Sequence, residues 1–117
     1  MLSTILVHYL RTHRKRLALS QDELAWLLGC RHGSKVSRYE RFARMPSLNT
    51  VFAYEIIFGV PARDLFAGIF EAVEHATLKR AELLVRRLQA GPSNRSVAIK
   101  LAALRAIDRR RRSCGRR

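Results

Sequence analysis

Four histidines, two cysteines and nine carboxylates are the side chains of this 117-residue sequence from which proton transfer, nucleophilic attack or metal binding would have to be built. Their spacing suits none of these. His8, His13, His32 and His75 are scattered, and no two lie at the i, i+4 interval that sets a pair of imidazoles on one helical face for a metal. Cys30 and Cys114 have no Cys or His neighbour at zinc spacing. No GxGxxG, phosphate-binding loop or nucleophile elbow is present. The expectation is a protein that is not an enzyme and that uses no metal or other cofactor.

The abundant chemistry is positive charge. Lys and Arg number 23 against 9 Asp and Glu, for a net charge of +14 and a pI near 11.5. Such an excess opposes compaction and draws polyanions, which points to nucleic acid or, less often, an acidic membrane surface. Dividing the chain after Ile69 leaves 10 basic and 5 acidic residues before and 13 basic and 4 acidic after. The last stretch, Arg109 to Arg112 with Arg116 and Arg117, could grip phosphates without sequence preference or form a solvated end.

The length suits one domain of ordinary size, and three prolines and six glycines are too few for a disordered chain. Two cysteines with no secretory signal suggest an intracellular protein with reduced thiols: the basic residues near the N-terminus follow the apolar run instead of preceding it. No apolar run approaches the roughly 20 residues that span a bilayer.

The elements that would position these charges are all helical. Leu6 and Leu10, four apart, mark a first helix from about Thr4 to Leu17. Ser20-Gln21-Asp22-Glu23 is a capping box that opens a second, with Leu24, Leu27 and Leu28 on one face and Gly29 as its stop. After the turn Cys30-Arg31-His32-Gly33, Ser34 is expected to cap a third helix, Ser34–Phe42, with Val36 and Tyr39 inward. Pro46-Ser47 announces a fourth, Leu48 to about Phe58, stopped by Gly59. Pro61 suits the first turn of a fifth, beginning PARDLF. A helix of about twenty residues follows, interrupted from the fifth only by Gly68. Gly91-Pro92-Ser93-Asn94 breaks the chain before a last helix, whose Val97, Ala98, Leu101 and Leu104 are read as one stripe running into a frayed basic end. The expected fold class is all-α.

LRTHRKRLALSQDELAWLLG, VSRYER and MPSLNTVFAYEIIFGVPARDLF, taken together, resemble the Cro/cI-type (lambda-repressor-like, xenobiotic-response-element) helix-turn-helix family over roughly residues 10–66. The resemblance implies a five-helix DNA-binding domain, here residues 1–68. Beyond it, the apolar surplus and the arginine run are read as a helical extension at 69–108 for dimerisation or partner binding and an Arg-rich tail at 109–117. It implies a second helix crossing the phosphate backbone with Gln21 at its first turn, and a third lying in the major groove. The DNA-binding residues are then Gln21, Arg31, His32, Ser34, Lys35, Ser37, Arg38, Arg41 and Arg44. Gly33 lies among them. Arg38 is the candidate for a bidentate guanine contact, while Arg41 and Arg44 fit phosphate clamps. Arg14 and Glu40 match positions that form a buried ion pair in the family.

Four features depart from the family pattern. One extra residue separates Gly29 from Val36, Phe42 stands where the family has Gly, His13 replaces a leucine, and Glu55 replaces a small core residue. Each singled-out residue also has a plain structural role open to it. Arg38 could be a solvated charge, and His32 could cap or brace the turn. Cys30 could be a small buried hydrophobe, and Trp26 could lie half exposed without consequence. Glu55 requires either a partner or a place at the surface. Ile56 fills a position that is usually polar in the family. With Ile69, Phe70, Val73, Leu84, Leu88, Val97, Leu101 and Leu104 it exceeds the apolar area that five helices need.

The function these features imply is a sequence-specific double-stranded-DNA-binding transcriptional regulator, a dimeric repressor in the cytoplasm of a bacterial or phage system. The alternative is an antitoxin-like interaction module whose last helices bind a protein partner.

Overall fold

The computed structural model describes the backbone of residues 2–114 and the side chains of residues 9–111. Arg116 and Arg117 lie outside the described residues, as do the side chains of Leu6, His8, Arg112 and Cys114. Seven helices follow one another, with no strand among the described residues: α1 (Leu2–Arg16), α2 (Gln21–Leu27), α3 (Gly33–Glu40), α4 (Leu48–Phe58), α5 (Ala62–Leu65), α6 (Ala67–Ala90) and α7 (Arg95–Cys114). The fold is all-α. None of the described helices is long and apolar enough to cross a membrane. The chain divides into two compact units, Met1–Glu71 and Ala72–Arg117.

In the first unit the caps fix where each helix begins and ends. Ser20 Oγ accepts the Glu23 N–H at 3.0 Å and Glu23 Oε1 accepts the Ser20 N–H at 2.9 Å, completing the capping box. Those bonds, the Ser20 backbone contribution first, hold the Glu23 carboxyl below its ordinary range. Gly29, at φ +78°, ends α2 in a Schellman turn: its N–H reaches the Trp26 carbonyl and that of Cys30 the Ala25 carbonyl. Ser47 caps α4 through the Thr50 N–H, and Gly59 closes it at φ +68°.

Several expected boundaries shift. Pro61 is the residue before α5 and not its first helical position. The break between α5 and α6 falls at Phe66 (φ −115°, ψ 40°), whereas Gly68 continues the helix, because Phe66 turns its ring into the core. On α2 the inward residues are Leu24, Ala25 and partly Leu28, whereas Leu27 is exposed. Positions 21, 24, 25 and 28 follow the helical period, and 27 falls off that face.

The core of this unit is Leu10, Leu24, Ala25, Val36, Tyr39, Tyr54, Leu65 and Phe66. Tyr54 is its centre: fully buried, it meets Tyr39 and Phe66 edge-on at 6.3 and 6.1 Å and Phe58 at 5.5 Å. Its hydroxyl has no hydrogen-bond partner among the described residues, and burial pushes its pKa well up. His13 takes the leucine position by stacking on Phe58 at 5.6 Å. Glu55 stays half-buried by accepting the Ala62 N–H at 2.7 Å, which satisfies an orphan donor at the start of α5.

The second unit is a helical hairpin. Asn94 Oδ1 accepts the Val97 N–H at 3.0 Å and starts α7, and Arg111 reaches Glu74 at 3.5 Å, so the end of α7 returns beside the beginning of this unit. Leu78, Ala81, Val85 and Leu88 on α6 and Val97, Leu101, Leu104 and Ile107 on α7 are half-buried. Ala98 is exposed, one position off the column it was expected to join. Arg109, Arg110 and Arg111 continue the helix instead of fraying from it.

Candidate nucleic-acid interface

The site begins with the join between α2 and α3. Ser34 does not cap α3. The N-cap is His32, whose side chain makes no capping bond, and the orphan Gly33 N–H is taken by Asp22 Oδ1 at 2.9 Å from the first turn of α2. The cap position thus lies two residues before the expected Ser34, and the capping bond comes from the neighbouring helix. A Cβ at Gly33 would collide with Asp22 Oδ1 and meet the Asp22 nitrogen at 3.0 Å, so only glycine allows this approach.

The other end of α3 is closed by Phe42. Helix α3 stops at Glu40, not Phe42, and Phe42 adopts the left-handed conformation at φ +56° in place of the family's glycine. Its N–H reaches the Tyr39 carbonyl at 3.1 Å and the Ala43 N–H reaches the Arg38 carbonyl at 2.9 Å, another Schellman turn. A bulky residue is strained at this φ. Packing of its ring against the core holds it there. The turn folds the chain back on the end of α3, with the Arg44 N–H also directed at the Arg38 carbonyl.

Beneath α3 lies the ion pair. Arg14 Nε donates to Glu40 Oε2 at 2.6 Å and a terminal nitrogen donates to Oε1 at 3.2 Å, with both side chains buried. A third Arg14 bond goes to the Leu19 carbonyl. The hydrogen bond to Glu40 raises the Arg14 pKa against the opposing effect of burial. Gln21 Nε2 donates to Glu40 Oε1 at 3.3 Å, so this amide braces the pair from α2. Helices α1, α2 and α3 thus share one carboxylate, and α3 is fixed by charge as well as packing.

Above the pair, the exposed side of α3 is cationic. Gly29, Cys30, Arg31, His32, Ser34, Lys35, Arg38 and Arg44 line a concavity of about 390 Å³. Six of the nine expected DNA-binding residues thus meet on one surface. The other three lie apart from it: Gln21 is engaged with Glu40, Ser37 is half-buried, and Arg41 is exposed with its Nε on the Ser37 carbonyl. Arg44, assigned beyond the helix, shares the concavity with Arg38. Cys30 is half-buried and packs against the core. Trp26 is 79% exposed, more than its expected half.

Asp22 is the residue of this site that sequence reasoning missed, since it sets the start of α3 without belonging to it. A glycine opening that helix, with a carboxylate in the first turn of the one before, was the available signal.

A helix-turn-helix domain family model matches residues 5–65, more than half of the chain. No curated protein and no solved structure matches it. With its all-helical architecture and the short α2 joined by a tight turn to α3, the chain belongs to the helix-turn-helix DNA-binding domains of Cro/cI type.

Proposed function

We propose that this protein is a sequence-specific transcriptional regulator, a repressor, that reads the major groove of double-stranded DNA with α3 and acts in the cytoplasm as a dimer. The observation that carries this reading is the cationic concavity on the exposed side of a helix that a buried ion pair holds from beneath. Arg38 reads a base edge, whereas Lys35, Arg31 and Arg44 neutralise phosphate around it. Gln21 contacts phosphate through the groups that Glu40 leaves free. The α6–α7 hairpin holds a second copy, and its Arg-rich end adds affinity without sequence preference. That the hairpin buries no described side chain supports a second reading, in which it docks a different protein, as an antitoxin does.

Selection of bound fragments from a random duplex pool tests the regulator reading. A short motif repeated with two-fold symmetry at one helical turn, or a multiple of it, is the expected product. Recovery of unrelated fragments would overturn sequence-specific reading. On the selected site, Arg38→Ala should lose about 1–3 kcal/mol at one base position and Arg44→Ala a more even amount over all sequences. Equal losses on matched and mismatched sites for Arg38→Ala would remove it from base reading.

A further inference from the structure

The first turn of α2 holds both ends of α3. At the start, Asp22 Oδ1 accepts the Gly33 N–H at 2.9 Å, while the N-cap His32 supplies no side-chain bond of its own. At the far end, Gln21 Nε2 donates to Glu40 Oε1 at 3.3 Å, and Arg14 holds the same carboxylate from α1. The turn that carries Gln21 and Asp22 is itself locked by the Ser20–Glu23 capping box. Two adjacent side chains thus hold an eight-residue helix from opposite ends.

The two holds are unequal. The Glu40 carboxylate is buried and receives two hydrogen bonds from Arg14 and one from Gln21. The Gly33 end is held by Asp22, an exposed residue. A carboxylate suits that end, where unpaired amides carry the positive pole of the helix. The approach is also close: a Cβ on Gly33 would stand 3.0 Å from the Asp22 nitrogen and 3.1 Å from the Gln21 carbonyl carbon. Releasing the Asp22 bond lets α3 pivot about its buried end. For a helix about 12 Å long, a tilt of about 10° moves the free end by roughly 2 Å, which no base-edge hydrogen bond survives.

We propose that Asp22 is a positioning residue for base reading: through the Gly33 N–H it fixes the start of α3, and with it the base positions addressed from His32 and Ser34. It does this without touching DNA. Ser34 and Arg38 are both exposed and lie four apart on one side of α3, Ser34 beside the Asp22 hold and Arg38 nearer the Glu40 hold. The inference rests on the regulator reading. A cap that served stability alone would weaken binding to every sequence alike. A positioning bond acts unevenly, since the freed end of α3 moves and the held end does not.

Asp22→Asn and Asp22→Ala separate the bond from the charge. Both remove a carboxylate that opposes phosphate, but Asn keeps an oxygen that can accept the Gly33 N–H. The full-length wild type and both variants are titrated onto the selected duplex and onto each single-base variant of it, with melting temperatures measured on all three. A mismatch in such a site costs on the order of 10-fold in affinity. Asp22→Asn is expected to bind every duplex more tightly than the wild type, with the same ratio of matched to mismatched affinity at each position. Asp22→Ala is expected to lose most of that ratio at positions other than the one that Arg38→Ala identifies, where it is retained. If Asp22→Ala does not fold, Asp22→Leu, which fills the space without an acceptor, serves for the same comparison.

Identical mismatch ratios for Asp22→Asn and Asp22→Ala would overturn the proposal, whatever the melting temperatures, and leave the regulator reading standing. An even loss at every position would overturn it too, because that is the mark of a cap that only stabilises the fold. A wild-type chain that selects no sequence would overturn the regulator reading, and this role of Asp22 with it.

Discussion

Leu24 in the first unit and Leu101 in the second both sit on apolar helical columns, yet only Leu24 is sealed from solvent while Leu101 is half-covered. The same contrast runs through each unit. The first places eight side chains in a closed core, and no described side chain of residues 72–111 is buried. Side-chain type does not explain this, because Leu78, Val85, Leu88 and Leu104 are as apolar as anything in the first unit. Geometry does. Several helices crossing at different angles enclose a point, whereas two lying side by side cover a seam from one direction only. A sequence can therefore specify a helix fully and still leave its burial to a neighbour.

Charge sharpens the contrast most. Arg14→Ala or Glu40→Ala leaves a charge buried alone and should cost about 3–5 kcal/mol. The double variant should lose less than the two singles combined, whereas additive losses in chemical denaturation would show that the groups do not interact. Arg111 and Glu74 are 53% and 30% exposed, and Arg111→Ala should cost less than about 1 kcal/mol.

The leucines come next. Leu24→Ala should cost about 2–5 kcal/mol at any protein concentration, because its cavity is closed within one chain. Leu101→Ala should cost less in dilute solution and more as the chain associates, since a seam completed by a second copy gains stability by mass action. Melting curves over a wide concentration range measure both. A Leu101→Ala effect that ignores concentration would mean that the hairpin is complete by itself.

The smallest effect has the opposite sign. Tyr54→Phe removes a buried hydroxyl that has no partner among the described residues and keeps the ring contacts, so it should stabilise the first unit by about 1 kcal/mol. A loss of stability in urea denaturation would reveal a bond to that oxygen.

What was legible in the sequence was local. The capping box at Ser20, the glycine stops at 29 and 59 and the breaker at 91–94 act over a turn or two, and each sits where its residue types place it. What was not legible depends on a partner far along the chain. The start of α3 moves because Asp22 reaches Gly33, and Glu55 finds its place because Ala62 offers an amide. Phe42 is the sharpest case. Its residue type argues against a left-handed conformation, and only the core behind it makes that conformation stable. Four cations, Arg31, Lys35, Arg38 and Arg44, converge less visibly than a motif does: Arg44 joins Arg38 through a turn whose closing residue looked unsuitable for one.

The shortness of α3 has a consequence for how much address a single chain can carry. Eight residues make a helix about 12 Å long, the width of the major groove, and base pairs stack about 3.4 Å apart. A helix of that length laid in the groove would inspect roughly three or four pairs, about 7 bits at two bits a pair. Singling out one place among about a million competing sites takes roughly 20 bits. One copy falls far short, two copies reach about 14, and four reach about 28. If the chain reads sequence as proposed, an address of that length has to be written across an assembly, of which one chain spells a single syllable.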